Sequence, residues 1–63
     1  MSVGANIRKY REAVKMTQQE LADCVGVDQS MISQIERGTK IPTILLGKEI
    51  ANALGRCLDD LIA

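Results

Sequence analysis

Between residues 17 and 37 the apolar positions fall at helical spacing twice, with a break between. Leu21, Ala22 and Val25 share one face of a first helix. Ile32, Ile35 and one edge of Glu36 form the buried stripe of a second. Thr17 with Glu20 three residues later is a capping-box pattern: the Thr oxygen accepts a free backbone N–H, and the Glu reaches back. Gly26 follows the last apolar residue, where a left-handed residue stops a helix without steric cost. Val27 tucks under the turn, and Asp28 is a good N-cap for the next helix. Two helices joined by so short a turn cross at roughly 90–120° and touch early. The residue at the contact must be small, and Ala22 stands there. The outer face of the second helix is Gln29, Ser30, Ser33, Gln34 and Arg37, all uncharged or cationic hydrogen-bonders.

The flanks carry the same period. Ser2 caps a helix running to about Val14, with Val3, Ile7, Tyr10 and Val14 on one face and Arg8, Lys9 and Glu12 toward water. Arg11 lies at the edge of the buried face. Beyond residue 37, Gly38 ends a helix and Pro42 biases Ile41 away from helical geometry. Thr43 caps a further helix, about Ile44 to Leu54, on which Gly47, Ile50, Ala51 and Leu54 cluster. Leu45 points the other way, among Lys48, Glu49 and Asn52. Gly55 breaks the chain, and Leu58, Leu61 and Ile62 make a short last helix. No run of alternating β-branched residues predicts a strand. The expectation is an all-α fold of five helices.

The stretch from Thr17 to Arg37 resembles the helix-turn-helix of the phage-repressor and Cro-like (XRE-type) DNA-binding family. Gln18, Leu21, Ala22, Val25, Gly26, Val27, Ile32, Ile35 and Glu36 match, with Arg11 upstream and Pro42, Ile50, Ala51, Leu54 and Leu61 downstream. The resemblance implies a compact five-helix, lambda-repressor-like domain over residues 1–63, with the helix-turn-helix at helices 2 and 3. It implies a largely buried Arg11–Glu36 ion pair tying helix 1 to helix 3, a scaffold role. It also implies a two-fold contact at the helix 4–5 turn and last helix, for which Arg56, Cys57, Leu58 and the exposed side of Ile62 are candidates, with Leu45 a further one. Four positions depart from the family pattern. Lys15 stands where Gly is common, so a left-handed residue there would be strained. Gly47 replaces a larger apolar residue at a cost of about 1 kcal/mol against Ala, unless a neighbour fills the space. Cys57 replaces a capping Ser or Thr, and Arg56 a residue that is often Val.

Composition narrows the function. A chain of 63 residues is one small domain, burying only about 60% of its unfolded surface. Formal net charge is zero, which lacks the usual basic footprint of a nucleic-acid binder. The charge is uneven, however: residues 1–15 carry +3 and the remainder −3. Such a bipolar domain can present one positive face, with weaker non-specific binding and a shallower salt dependence than a basic domain. Cys24 and Cys57, with no His, do not make a zinc site and read as small apolar side chains. No signal peptide is recognisable, so a reducing cytosol is expected. The longest apolar run, Ile44-Leu45-Leu46, is far below the ~20 residues of a membrane span. There is no Gly-rich phosphate loop and no nucleophile–base cluster; Asp59 and Asp60 are adjacent and diverge on a helix. Neither an enzyme nor a cofactor or metal site is expected.

These readings predict sequence-specific binding of double-stranded DNA by a small, repressor-like transcriptional regulator, cytoplasmic and acting as a homodimer. Helix 3 enters the major groove with its N-terminal residues toward the bases. Gln29 and Gln34 suit base edges, since an amide matches the acceptor–donor pair of adenine and discriminates by about 1–3 kcal/mol. Ser30 and Ser33 add less specific hydrogen bonds, and Met31 packs or meets a thymine methyl. Gln18, in the first turn of helix 2, is expected on a phosphate, with Arg37, Lys40 and the backbone N–H of Ile44 as further phosphate contacts. The alternative is a protein-interaction module, antitoxin-like or a cofactor domain, on the same fold. The zero net charge and the surplus apolar Leu45 point that way.

Overall fold

The structure is a computed structural model that describes residues 2–63. Five helices follow one another: α1 (Val3–Ala13), α2 (Gln18–Val25), α3 (Gln29–Arg37), α4 (Ile44–Ala53) and α5 (Leu58–Ile62). No strand occurs among the described residues.

Most helix starts have a local cause. Ser2 Oγ accepts from the Ala5 N–H at 3.1 Å, and Thr43 Oγ1 from the Leu46 N–H at 3.1 Å. Thr17 closes the full capping box: its Oγ1 accepts from the Glu20 N–H at 3.0 Å, and Glu20 Oε1 accepts from the Thr17 N–H at 2.8 Å. Each such cap stabilises by about 1 kcal/mol. Two starts differ from expectation. Asp28 occupies the N-cap position of α3, but its side chain makes no capping hydrogen bond. Cys57 heads α5, where the Asp60 carboxylate compensates for the poor cap. It accepts from the Cys57 N–H at 3.2 Å and from Sγ at 3.4 Å. The α2–α3 turn requires Gly26, which takes φ 76°.

One core joins all five helices: Ile7, Leu21, Ala22, Ile32, Ile35, Ile50, Ala51, Leu54 and Leu61. α1 lies against α3 and α5, and α2 against α3 and α4. Small residues set the spacing. Ala22 is fully buried at the α2–α3 crossing. Gly4 lets α1 approach so closely that an added Cβ would strike the Ile35 carbonyl oxygen and lie 3.0 Å from Glu36 Cα. At Gly47 a Cβ would lie 3.1 Å from Leu58 Cδ1, so Leu58 fills the space that the missing side chain leaves.

Val14 departs from the predicted buried face. α1 stops at Ala13 and Lys15 turns left-handed at φ 58°, which carries Val14 off the core and leaves it 52% exposed. Asn6, unremarked in the sequence reading, is buried instead. Its Nδ2 donates to the Leu61 carbonyl at 2.8 Å and the Ala63 carbonyl at 3.3 Å, fastening α1 to the end of α5.

Candidate nucleic-acid interface

Ile32 and Ile35 press one side of α3 into the core. Behind the helix a charged network fixes it to α1. Arg11 Nε donates to Glu36 Oε2 at 2.7 Å and Nη2 to Oε1 at 3.0 Å, a bidentate fork. Nη1 donates to the Met16 carbonyl at 2.7 Å. The two side chains are only 10% and 3% exposed. Hydrogen bonding to Glu36 raises the Arg11 pKa above its ordinary value against the opposing effect of burial, and the charges of Glu36 and Glu12 add to the rise.

The network has a third donor that spacing did not disclose. Gln18 Nε2 donates to Glu36 Oε1 at 3.0 Å, so the half-buried Gln18 ties the start of α2 to α3. One of its two amide hydrogens is therefore engaged inside the protein. Only the other amide hydrogen is left for a phosphate, because Oε1 is itself an acceptor.

Gln29, Ser30, Arg37 and Lys40 are exposed, and Ser33 and Gln34 are half-buried. An open groove brings Ser30, Met31, Gln34 and Lys40 together along one flank of α3, with Ala22, Gly26 and Val27 behind them. Gln29 and Ser33 do not line it. Two carboxylates do, Asp23 and Asp28, and the sequence reading gave neither a place at the interface. The Asp23 carboxylate accepts from Gln19 Nε2 at 2.9 Å. Ile44 opens α4; Thr43 Oγ1 takes the Leu46 N–H, and among the described residues no hydrogen bond engages the Ile44 N–H.

The dimer candidates divide. Leu45 is 70% and Ile62 60% exposed, and Cys57 is exposed. Leu58 is half-buried against Gly47, and the Arg56 guanidinium lies over the Tyr10 ring, 4.4 Å from its centroid. Ile41 and Ile44, not singled out from sequence as apolar surface, are also exposed. Among the described residues no three His, Cys, Asp or Glu side chains converge as a metal site, and no helix is long and apolar enough to cross a membrane.

This architecture is that of a helix-turn-helix domain held between two flanking helical segments. The helix-turn-helix family model HTH_3 matches residues 7–61, and the chain belongs to that family. An uncharacterized HTH-type transcriptional regulator of Methanothermobacter thermautotrophicus is 44% identical over 50 residues, covering 79% of this chain and 72% of the relative. The P22 c2 repressor in complex with a synthetic operator has the same fold, with a TM-score of 0.92 at 32% identity over 98% of this chain and 94% of that one. SinR, described as the master regulator for biofilm formation and solved in complex with DNA, gives 0.88 at 30% identity, covering 94% and 95%.

Proposed function

We propose that this chain is a transcriptional regulator, not an enzyme, that binds double-stranded DNA sequence-specifically through α3. The observation that carries the reading is the rigid presentation of that helix. Buried Ile32, Ile35 and the Arg11–Glu36–Gln18 network clamp one side, while Gln29, Ser30, Ser33 and Gln34 occupy the rest of its surface. A reading helix must not yield as it docks, because each base contact depends on sub-ångström placement.

In this mechanism α3 lies in the major groove. The amides of Gln29 and Gln34 read adenine edges, and the hydroxyls of Ser30 and Ser33 add single hydrogen bonds. The outward N–H of Gln18, with Arg37, Lys40 and the backbone N–H of Ile44, takes phosphates and sets the register. Two copies bind half-sites one helical turn, about 34 Å, apart. Leu45, Cys57 and the exposed side of Ile62 supply the two-fold contact, with Arg56 and Leu58 at its margin. DNA as partner puts the protein in the cytoplasm.

Gln29→Ala and Gln34→Ala test the reading in a gel shift. Each should weaken binding to a selected site by roughly 5- to 160-fold, the equivalent of about 1–3 kcal/mol, with binding to random duplex almost unchanged. Equal losses on both DNAs would remove these side chains from base readout. A second reading has its own support in the exposed Ile41, Ile44 and Leu45, an apolar surface suited to a protein partner. Absence of any shift at low salt, with the fold intact, would favour it.

A further inference from the structure

Asp28 stands apart from the other oxygen-bearing residues that open helices. Ser2, Thr17 and Thr43 each bond a first-turn backbone N–H. Asp28 has the same extended backbone, φ −72° and ψ 150°, and a side chain among the best suited to capping, yet makes no such bond. Its carboxylate is exposed and enters no ion pair among the described residues. Of the two carboxylates in the groove beside α3, Asp23 is engaged by Gln19, and Asp28 is the free one. The same groove is lined by Ser30, Met31, Gln34 and Lys40.

On the DNA-binding reading, which this inference rests on, that groove faces the duplex. A bare carboxylate there is repelled by every phosphate it approaches. What it can meet favourably is a hydrogen-bond donor on a base. In the major groove cytosine offers its N4 amino group, and Asp is a side chain suited to accept from it. Thymine offers O4 and guanine N7 and O6, acceptors that a carboxylate cannot bond. Adenine sets N7 beside its N6 donor, which suits an amide better than an acid. Lys40, which lines the same groove, supplies the positive charge that keeps the approach close.

We propose that Asp28 is a specificity-determining residue that accepts a hydrogen bond from the N4 amino group of one cytosine in each half-site. It acts beside Gln29 and Gln34 and adds a cytosine to a site they would otherwise define by adenines.

Selection of bound duplexes from a random pool, with the full chain and its Asp28→Ala and Asp28→Asn variants at one salt concentration, tests this. The wild type should enrich cytosine at one position per half-site by on the order of ten-fold over the other bases. Asp28→Ala should lose that preference alone and keep every other position. Asp28→Asn should move it toward adenine, whose N6 and N7 an amide matches. Because no capping bond is removed, Asp28→Ala should melt with the wild type; if α3 loosens nonetheless, Asp28→Asn keeps a polar side chain of the same size and still reads the position. Base preferences unchanged in both variants would overturn the assignment and leave the DNA-binding reading standing. A wild type that selects no motif would overturn both.

Discussion

Replacing Glu36 by Ala would leave three donors without their acceptor: Nε and Nη2 of the buried Arg11 and Nε2 of the half-buried Gln18. Breaking one side of a buried ion pair costs about 3–5 kcal/mol, because the remaining charge stays desolvated and unpaired. A domain of 63 residues has a total stability of about 3–9 kcal/mol. The substitution therefore removes a third or more of what holds the fold. At about 4–8 °C per kcal/mol for a domain of this size, the midpoint should fall by roughly 12–40 °C. Thermal and urea unfolding followed by circular dichroism would measure it. Arg8–Glu12 is an internal control, an i,i+4 pair at 3.3 Å whose side chains are 64% and 56% exposed. Breaking it should change stability by less than about 1 kcal/mol. Joint replacement, Arg11→Met with Glu36→Leu, should return most of the loss, since apolar residues of similar volume often equal a buried pair. Because folding raises the Arg11 pKa, the pair's contribution is complete below the ordinary arginine range and is lost only as pH climbs past it. The gap between wild type and Glu36→Ala should therefore hold steady up to about pH 10. A Glu36→Ala cost under about 1 kcal/mol, or a double variant no better than Glu36→Ala alone, would refute the reasoning.

Gly4→Ala raises helix propensity by about 1 kcal/mol but drives a methyl into the Ile35 carbonyl, and overpacking of this kind costs about 1–3 kcal/mol or more. Urea unfolding should show a net loss; a gain would mean that α1 does not lie so close to α3. Lys15→Gly relieves a left-handed residue, worth about 1–2 kcal/mol, against a more flexible unfolded chain that costs about 0.4–1 kcal/mol. The midpoint should rise by a few degrees, and a fall would show that the Lys15 side chain contributes to the folded state.

The helices were legible because their ends are marked in the chain: Thr17 with Glu20, Gly26, Gly38 and Thr43 signal starts and stops that depend on neighbours three or four residues away. Lys15 was legible only through the family resemblance, as a residue standing where Gly is common, and it does take positive φ. What stayed hidden depends on how helices cross. The Gln18–Glu36 bond spans 18 residues and exists only because the start of α2 meets α3, so spacing alone placed Gln18 on a phosphate. Asn6 lies between Val3 and Tyr10 along one face of α1, and a polar side chain bordering an apolar face was the available sign of its burial. Asp28 does stand at the N-cap of α3 as expected, and its missing side-chain bond has a different origin. Sequence identifies a residue able to cap, but whether the carboxylate turns back to the helix or outward to the groove is decided by rotamer, which no pattern encodes.

Asn6 bears on the order in which the protein comes into being. Its carbonyl partners lie 55 and 57 residues further along the chain. At synthesis rates of about 5–20 residues per second, those partners are made roughly 3–11 s after Asn6. Until then α1 lacks its latch, and Leu61, a core residue from the same stretch, is missing as well.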